Sequence, residues 1–246
     1  MICFADYHTH TYYSHGKGSV RDNVEAAARK GLEEIAISDH GPNHLSLFGI
    51  KDLTVLSRIR EDLKAACAEF PQVKGLVSIE ANIISTDGDL DLPPERAHLV
   101  DLVQAGLHAS VRLASARDFG RIYGWHYLGK LWEPWSKRSR FYNTEAVVNA
   151  VYKNRIHIIT HPGHRFNIDT RAVAKACRER GTAMEINCGH DHTTVEYLRI
   201  AAEEGVQFVI GSDAHSPERV GDFAKGIRLA KAAGLSPEQI INARAL

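Results

Sequence analysis

Short apolar runs alternate along this chain with segments of helical periodicity, and that alternation restricts the fold more than any other feature. Residues 2–7, 35–38, 76–84, 99–107, 156–159, 183–186 and 208–210 read as strands. Between and after them the spacing predicts helices over 20–30, 51–69, 144–154, 171–180, 195–204, 220–233 and 237–243. Ser19 followed by Asp22 is a capping-box pattern, and Gly31, Gly181 and Gly205 stand where helices should stop. Leu53, Leu56, Ile59 and Leu63 recur three and four apart, with Arg60 the one polar break in their stripe. Strands joined through helices run parallel. An open doubly wound sheet and a closed barrel both satisfy this pattern.

The chain has 246 residues, a length that one α/β barrel fills as a single domain spanning 1–246. Formal net charge is zero with histidine neutral, so nothing global points to nucleic acid or a membrane. No run approaches the roughly 20 apolar residues a membrane span needs, and the N-terminus lacks a signal-peptide pattern. Cys3, Cys67, Cys177 and Cys188 are widely spaced, which reads as reduced thiols in a cytoplasmic protein.

Chemistry concentrates in histidine. Seven of the fourteen histidines fall in short motifs at or just beyond the predicted strand ends. These are Asp6-Tyr7-His8-Thr9-His10 with His15, Ser38-Asp39-His40, Gly106-Leu107-His108, His161-Pro162-Gly163 and Ser212-Asp213-Ala214-His215, joined by Glu80 at the end of an apolar strand. Imidazole with carboxylate suits zinc, manganese or iron. His8 and His10 are two apart and share a strand face, with Asp6 one step deeper. Asp213 and His215 repeat the spacing at the last strand. Glu80 buried alone would be costly, so a cation partner is expected. Asp39 should point away from His40 and orient a ligating imidazole. Ligand candidates drawn from the whole length of the chain favour a barrel, where every strand ends at one rim. His157 is expected to pack in the core and His98 to be solvated.

Residues 109–142 break the pattern. They hold all three tryptophans (Trp125, Trp132, Trp135) and read as an inserted loop or lid. From 109 to 140, Arg112, Arg117, Arg121, Lys130, Lys137, Arg138 and Arg140 outnumber Asp118 and Glu133. Folded over the rim, such a segment would draw in an anion, with Arg121 and Arg140 as clamps. Arg165, just past His161-Pro162-Gly163, is an independent phosphate-binding candidate.

The ordered motifs from residue 6 to residue 215 resemble the PHP (polymerase and histidinol phosphatase) family, and details such as Asp39-His40-Gly41-Pro42, Glu80-Ala81-Asn82-Ile83 and Glu185-Ile186-Asn187 look closest to its small stand-alone bacterial phosphatases. The resemblance implies a distorted (β/α)7 TIM-like barrel with a trinuclear centre at the C-terminal rim. Carried over position by position, it implies His8, His10, Glu80 and Asp213 around one ion. Glu80 would bridge to a second ion held with His108 and His161, and His15, His40 and His215 would hold the third. The departures are the 109–142 segment and Cys188-Gly189-His190, which leave the substrate open.

Such a centre suits hydrolysis of a small phosphomonoester by a metal-bound hydroxide, since coordination lowers the pKa of water toward about 7. Asp39, His190 and His192 are candidates for the acid–base role. A 3'–5' nuclease-like phosphodiesterase is the alternative, given tryptophans near a basic segment, though no nucleic-acid module accompanies them. A metal-binding protein without catalysis is the third reading. The expected partner is a small phosphorylated substrate, without a membrane and with nucleic acid disfavoured; a homo-oligomer is compatible with the sequence. Cys188 reads as a packing residue.

Overall fold

The computed structural model describes residues 1–45 and 48–245. Seven parallel strands follow one another around a nearly closed barrel: β2 (Ala5–Thr9), β3 (Glu34–Ile37), β4 (Lys74–Asn82), β5 (Leu102–Gly106), β6 (Ile158–Ile159), β7 (Ala183–Asn187) and β8 (Phe208–Gly211). The seam between the last and first of these is bridged by Thr9 and Ala214. There the His10 N–H donates to the Ala214 carbonyl (2.8 Å), and the Ala214 N–H donates to the His8 carbonyl (3.2 Å). Helices α1 (Val20–Arg29), α2 (Val55–Glu69), α5 (Glu133–Lys153), α6 (Thr170–Arg180), α7 (Val195–Glu203) and α8 (Ala224–Ala233) clothe the outside. The expected capping box at Ser19 and Asp22 forms at α1.

Strand alternation decides what enters the ring. Ile79, Ala81, Val103, Ala105, Met184, Ile186, Phe208 and Ile210 belong to the main apolar core with the helices. Residues of the other parity therefore face inward. A small second cluster of Ile158, Ala183 and Val209 with Tyr7 lies on that side. Gln104 shares it, and its amide donates to Ser38 Oγ (2.9 Å) and Ser78 Oγ (3.1 Å). Glu80, two residues beyond Ser78, and Glu185, two beyond Ala183, are thus directed into the barrel. The register of β2 against β3 shifts between Asp6 and Thr9. Regular alternation fails at that bulge.

Three expected elements differ. Residues 109–142 are not an irregular loop. They contain α3 (Ala116–Phe119), a π-helical turn over Gly120–Gly124, α4 (Trp125–Leu128) and the first part of α5, which begins at Glu133. Arginine–aromatic stacking holds this segment, with Arg138 over Trp125 (4.7 Å) and Arg121 over Tyr142 (5.0 Å). The final helix expected at 237–243 is a single 3-10 turn, Pro237–Gln239, followed by β9 (Ala243–Arg244). The first expected strand divides, because β1 (Ile2–Cys3) leaves the barrel and pairs antiparallel with β9. Among the described residues no helix is long and apolar enough to cross a membrane.

Candidate metal centre

The strand ends converge at the rim. Glu80 is fully buried on β4 and stands at the middle. Its Oε1 lies 2.8 Å from His161 Nε2 and 3.0 Å from His108 Nε2. Its Oε2 lies 2.8 Å from His40 Nδ1, 3.3 Å from His8 Nε2 and 3.7 Å from His10 Nε2. Asp213 Oδ1 approaches His10 Nε2 (3.3 Å), His215 Nδ1 (3.5 Å) and His8 Nε2 (3.6 Å). The His15 ring centroid is 4.3 Å from that of His215 and 5.0 Å from that of His40. Three sets bring donor atoms within metal-binding reach: His8, His10 and Asp213; His40, Glu80 and His108; His10, His40 and His215. All nine side chains expected from the sequence meet in this one place. His40 reaches both Glu80 and the His10–His215 pair, so it joins two groups rather than one.

The donor chemistry fits cations. His8 Nε2, His10 Nε2, His40 Nδ1 and Glu80 Oε2 are buried, face the centre and make no well-directed hydrogen bond. Buried polar atoms left unpaired cost free energy, and divalent cations would supply the missing partner. The charges agree. Burial raises the Glu80 carboxyl, but His40, His8, His108 and His161 together pull it well below the usual range. Burial likewise opposes ionisation of Asp213, yet His8 and His10 hold it well below the usual value. Burial and the His215 charge drive His10 well below normal. Both carboxylates are thus ionised and His10 is held neutral, the form in which each donates to a metal. Against burial, Glu185 and Glu80 raise His8 and Glu80 raises His161, where a cation would take the place of the proton.

The backbone is strained at two of these positions. His161 has φ 27° and Asp213 φ 53°, both left-handed without being glycine. Such conformations persist where surrounding bonds over-determine them.

A cavity of about 240 Å³ opens above the centre. His44, Phe48, Leu107, Ser110, His164, Arg165 and His190 line it together with candidate ligands. Arg165 therefore stands where the sequence suggested. Arg121 and Arg140 do not. Arg140 pairs with Asp169 (2.9 Å) and donates to the Ile168 carbonyl, and Arg121 donates to Thr86 Oγ1 (3.1 Å). Of residues 109–142 only Ala109 and Ser110 line the cavity. Asp39 orients no imidazole. It accepts from the Thr11 N–H (2.8 Å) and Oγ1 (2.7 Å) and from Ser14 Oγ, shaping the loop after β2. His190 lines the cavity, whereas His192 is not among its walls. Asp6 also turns away, accepting from the Ser212 and Gly221 N–H groups. His157 is half-buried and accepts from the Val103 N–H (3.0 Å) rather than packing in the core, while His98 is exposed as expected. Cys188 is buried, and burial pushes its thiol up to about 12, consistent with packing.

The imidazole-orienting carboxylate is Glu185, whose Oε1 lies 2.6 Å from His8 Nδ1. Sequence reasoning gave Glu185 no role. Its inward parity on an apolar strand, the signal that singled out Glu80, would have found it.

Known proteins resemble this chain along its whole length. A probable phosphatase of Thermoanaerobacter sp. strain X514 is 31% identical over 98% of this chain and 91% of its own length. A probable phosphatase of Shewanella pealeana is 29% identical over 98% of this chain and 89% of its own. The crystal structure of histidinol phosphate phosphatase from Lactococcus lactis, complexed with zinc, L-histidinol and phosphate, superposes with a TM-score of 0.67 at 18% identity. It covers 96% of this chain and 95% of that one. The likeness bears on the barrel. The PHP domain model matches residues 6–232, a span that takes in every one of the nine convergent side chains, and the chain belongs to the PHP domain family.

Proposed function

We propose that this protein is a metal-dependent phosphoesterase that hydrolyses a small phosphomonoester at a centre of three divalent ions. The observation that carries the reading is the set of buried nitrogens and oxygens without well-directed hydrogen bonds on His8, His10, His40 and Glu80 beneath one cavity. His8, His10, Glu80 and Asp213 would hold one ion; Glu80, His108 and His161 a second; His15, His40 and His215 a third. The imidazole–carboxylate donor set suits zinc or manganese and accommodates iron. When bound, such ions supply Lewis acidity to a phosphoryl group and make hydroxide available at neutral pH.

The chain's own groups do the rest. Arg165 lines the cavity and is the candidate to bind the phosphate. His190 Nε2 lies 3.2 Å from Asp213 Oδ2 at the cavity edge and is the candidate to move a proton to the leaving group. A cavity of about 240 Å³ favours a small substrate over a polynucleotide. Arg138 already covers the face of Trp125, which a stacked base would need. The relatives carrying the name of probable phosphatases support the same chemistry.

The test combines elemental analysis with hydrolysis of p-nitrophenyl phosphate, histidinol phosphate and single-stranded DNA after loading with zinc or manganese. Monoester turnover abolished by chelator is the expected result. Metal bound without turnover of any phosphoester would leave a binding protein, and preference for DNA would establish the nuclease.

A further inference from the structure

We infer that Glu185 is the positioning residue of the centre, fixing the His8 ring and the His161 backbone at once; this rests on the metal-dependent reading above. Glu185 and Asn187 are two apart on β7 and project into the barrel on the same face. Glu185 Oε1 receives His8 Nδ1 at 2.6 Å. Its Oε2 accepts the His161 N–H (2.6 Å) and the Asn187 side-chain amide (3.0 Å). Asn187 extends the brace. The same amide nitrogen lies 3.2 Å from Asp213 Oδ2, and Asn187 Oδ1 accepts the His190 N–H (2.9 Å). One carboxylate and one carboxamide thus reach His8, His161, Asp213 and His190.

Three features distinguish this arrangement from ordinary burial of an acid. Glu185 meets the His8 ring at Nδ1, behind the Nε2 edge that faces Glu80 and Asp213, so it orients a ligand rather than serving as one. His161 adopts its left-handed φ of 27° with its N–H held by Oε2. Room for the carboxylate depends on Gly211, where a Cβ would stand 2.0 Å from Oε1.

The consequence is directional. With Nδ1–H donated to Glu185, the lone pair of His8 Nε2 points at the centre, 3.3 Å from Glu80 Oε2 and 3.6 Å from Asp213 Oδ1. Glu185→Gln leaves one acceptor oxygen where three donors converge on two, so either the His8 bond or the His161 and Asn187 bonds are lost.

The experiment compares zinc affinity of wild type and E185Q by competition with a chelator of known strength. Nitrogen-15 NMR of the histidines is recorded on the zinc-loaded wild type. A loss of roughly 10–100-fold in affinity for at least one ion is expected, with His8 carrying its proton on Nδ1. A residue that merely packs would lower the melting temperature of the metal-free protein and leave zinc affinity unmoved. Affinity in E185Q within about twofold of wild type would therefore overturn the inference. So would a His8 protonated on Nε2, a measurement that needs no variant and decides the matter if E185Q does not fold. A wild type that binds no metal at all would instead bring down the functional reading itself.

Discussion

His164 and His190 stack face to face, their ring centroids 3.8 Å apart and their planes within 10° of parallel. One follows β6 and the other β7, and both line the cavity. The stack fixes the plane of His190, whose Nε2 faces Asp213 Oδ2. A proton donor needs that restriction, because its efficiency depends on reaching one atom of the substrate.

His190→Ala is accordingly expected to lower kcat by about 10²-fold or more on an alkyl phosphate, whose leaving group needs a proton. The loss on p-nitrophenyl phosphate should be much smaller, because nitrophenolate departs unaided. His192→Ala, away from the cavity walls, should change either rate little. Equal losses on both substrates for His190→Ala would remove it from the proton-transfer role.

Glu80 touches more candidate ligands than any other acid described above. Glu80→Gln halves its acceptor capacity and removes its charge. Metal content and kcat should both fall, the latter by more than the roughly 10–100-fold typical of residues that only support ligands. Inductively coupled plasma analysis alongside steady-state kinetics checks this. Full metal content with normal turnover would dismantle the arrangement around Glu80.

Removal of ions should also cost stability, because a ligand that binds only the folded state adds about 2.7 kcal/mol at one hundred times its dissociation constant. Chelator-treated protein is expected to melt lower than the zinc-loaded form, with the difference growing with free zinc. Scanning calorimetry over a zinc titration reads this directly. A melting temperature indifferent to zinc would contradict it.

Arg165→Ala should raise KM for a phosphomonoester by about 10- to 150-fold, in line with the roughly 1.5–3 kcal/mol of a charged hydrogen bond. Arg121→Ala and Arg140→Ala should leave KM nearly unchanged, since these side chains are spent on Thr86, Tyr142 and Asp169. A KM effect at Arg121 or Arg140 rivalling that at Arg165 would show that the 109–142 segment closes over the substrate.

Asp91 gives a pH signature from a carboxyl that is not itself a candidate ligand. Burial pushes its carboxyl up to about 6 from 3.8, against N–H bonds from Asn82 and Asn43. A pKa higher in the folded state means the folded protein holds the proton more tightly. The contribution is fully present below about pH 4 and is lost as pH rises through about 6. The stability of metal-free wild type relative to Asp91→Asn should therefore fall by about 1–3 kcal/mol between pH 4 and pH 7, a pKa unit being worth about 1.4 kcal/mol. Urea unfolding at both pH values measures it, and a wild type that gains stability relative to Asp91→Asn toward pH 7 would refute the assignment.

The sequence carried the barrel and the nine converging side chains because both are written locally. Strand alternation shows in Ile79, Glu80 and Ala81, and the cap of α1 in Ser19 and Asp22. What escaped depends on distant partners. Glu185 acquires its role from His8, 177 residues away. Asp39 serves Thr11 and Ser14 rather than a ring, which no spacing between Asp39 and His40 announces. Residues 109–142 look irregular because tryptophan, arginine and glycine give no apolar period, yet stacking of Arg138 and Arg121 on aromatic rings holds them helical. The expected last helix gives way because Asn242 is drawn inward, donating to the Ala5 and Ile210 carbonyls and accepting the Ile210 N–H.

That asparagine fastens the first barrel strand to the last. His8 and His10 extend from one of those strands and Asp213 from the loop after the other, so the spacing between them is set by how tightly the seam is drawn. Loosening Asn242 would widen the gap from beneath and slacken the grip on a cation without touching any group that holds it. A substitution at the seam, outside the set of candidate ligands, would then surface as a defect in metal retention.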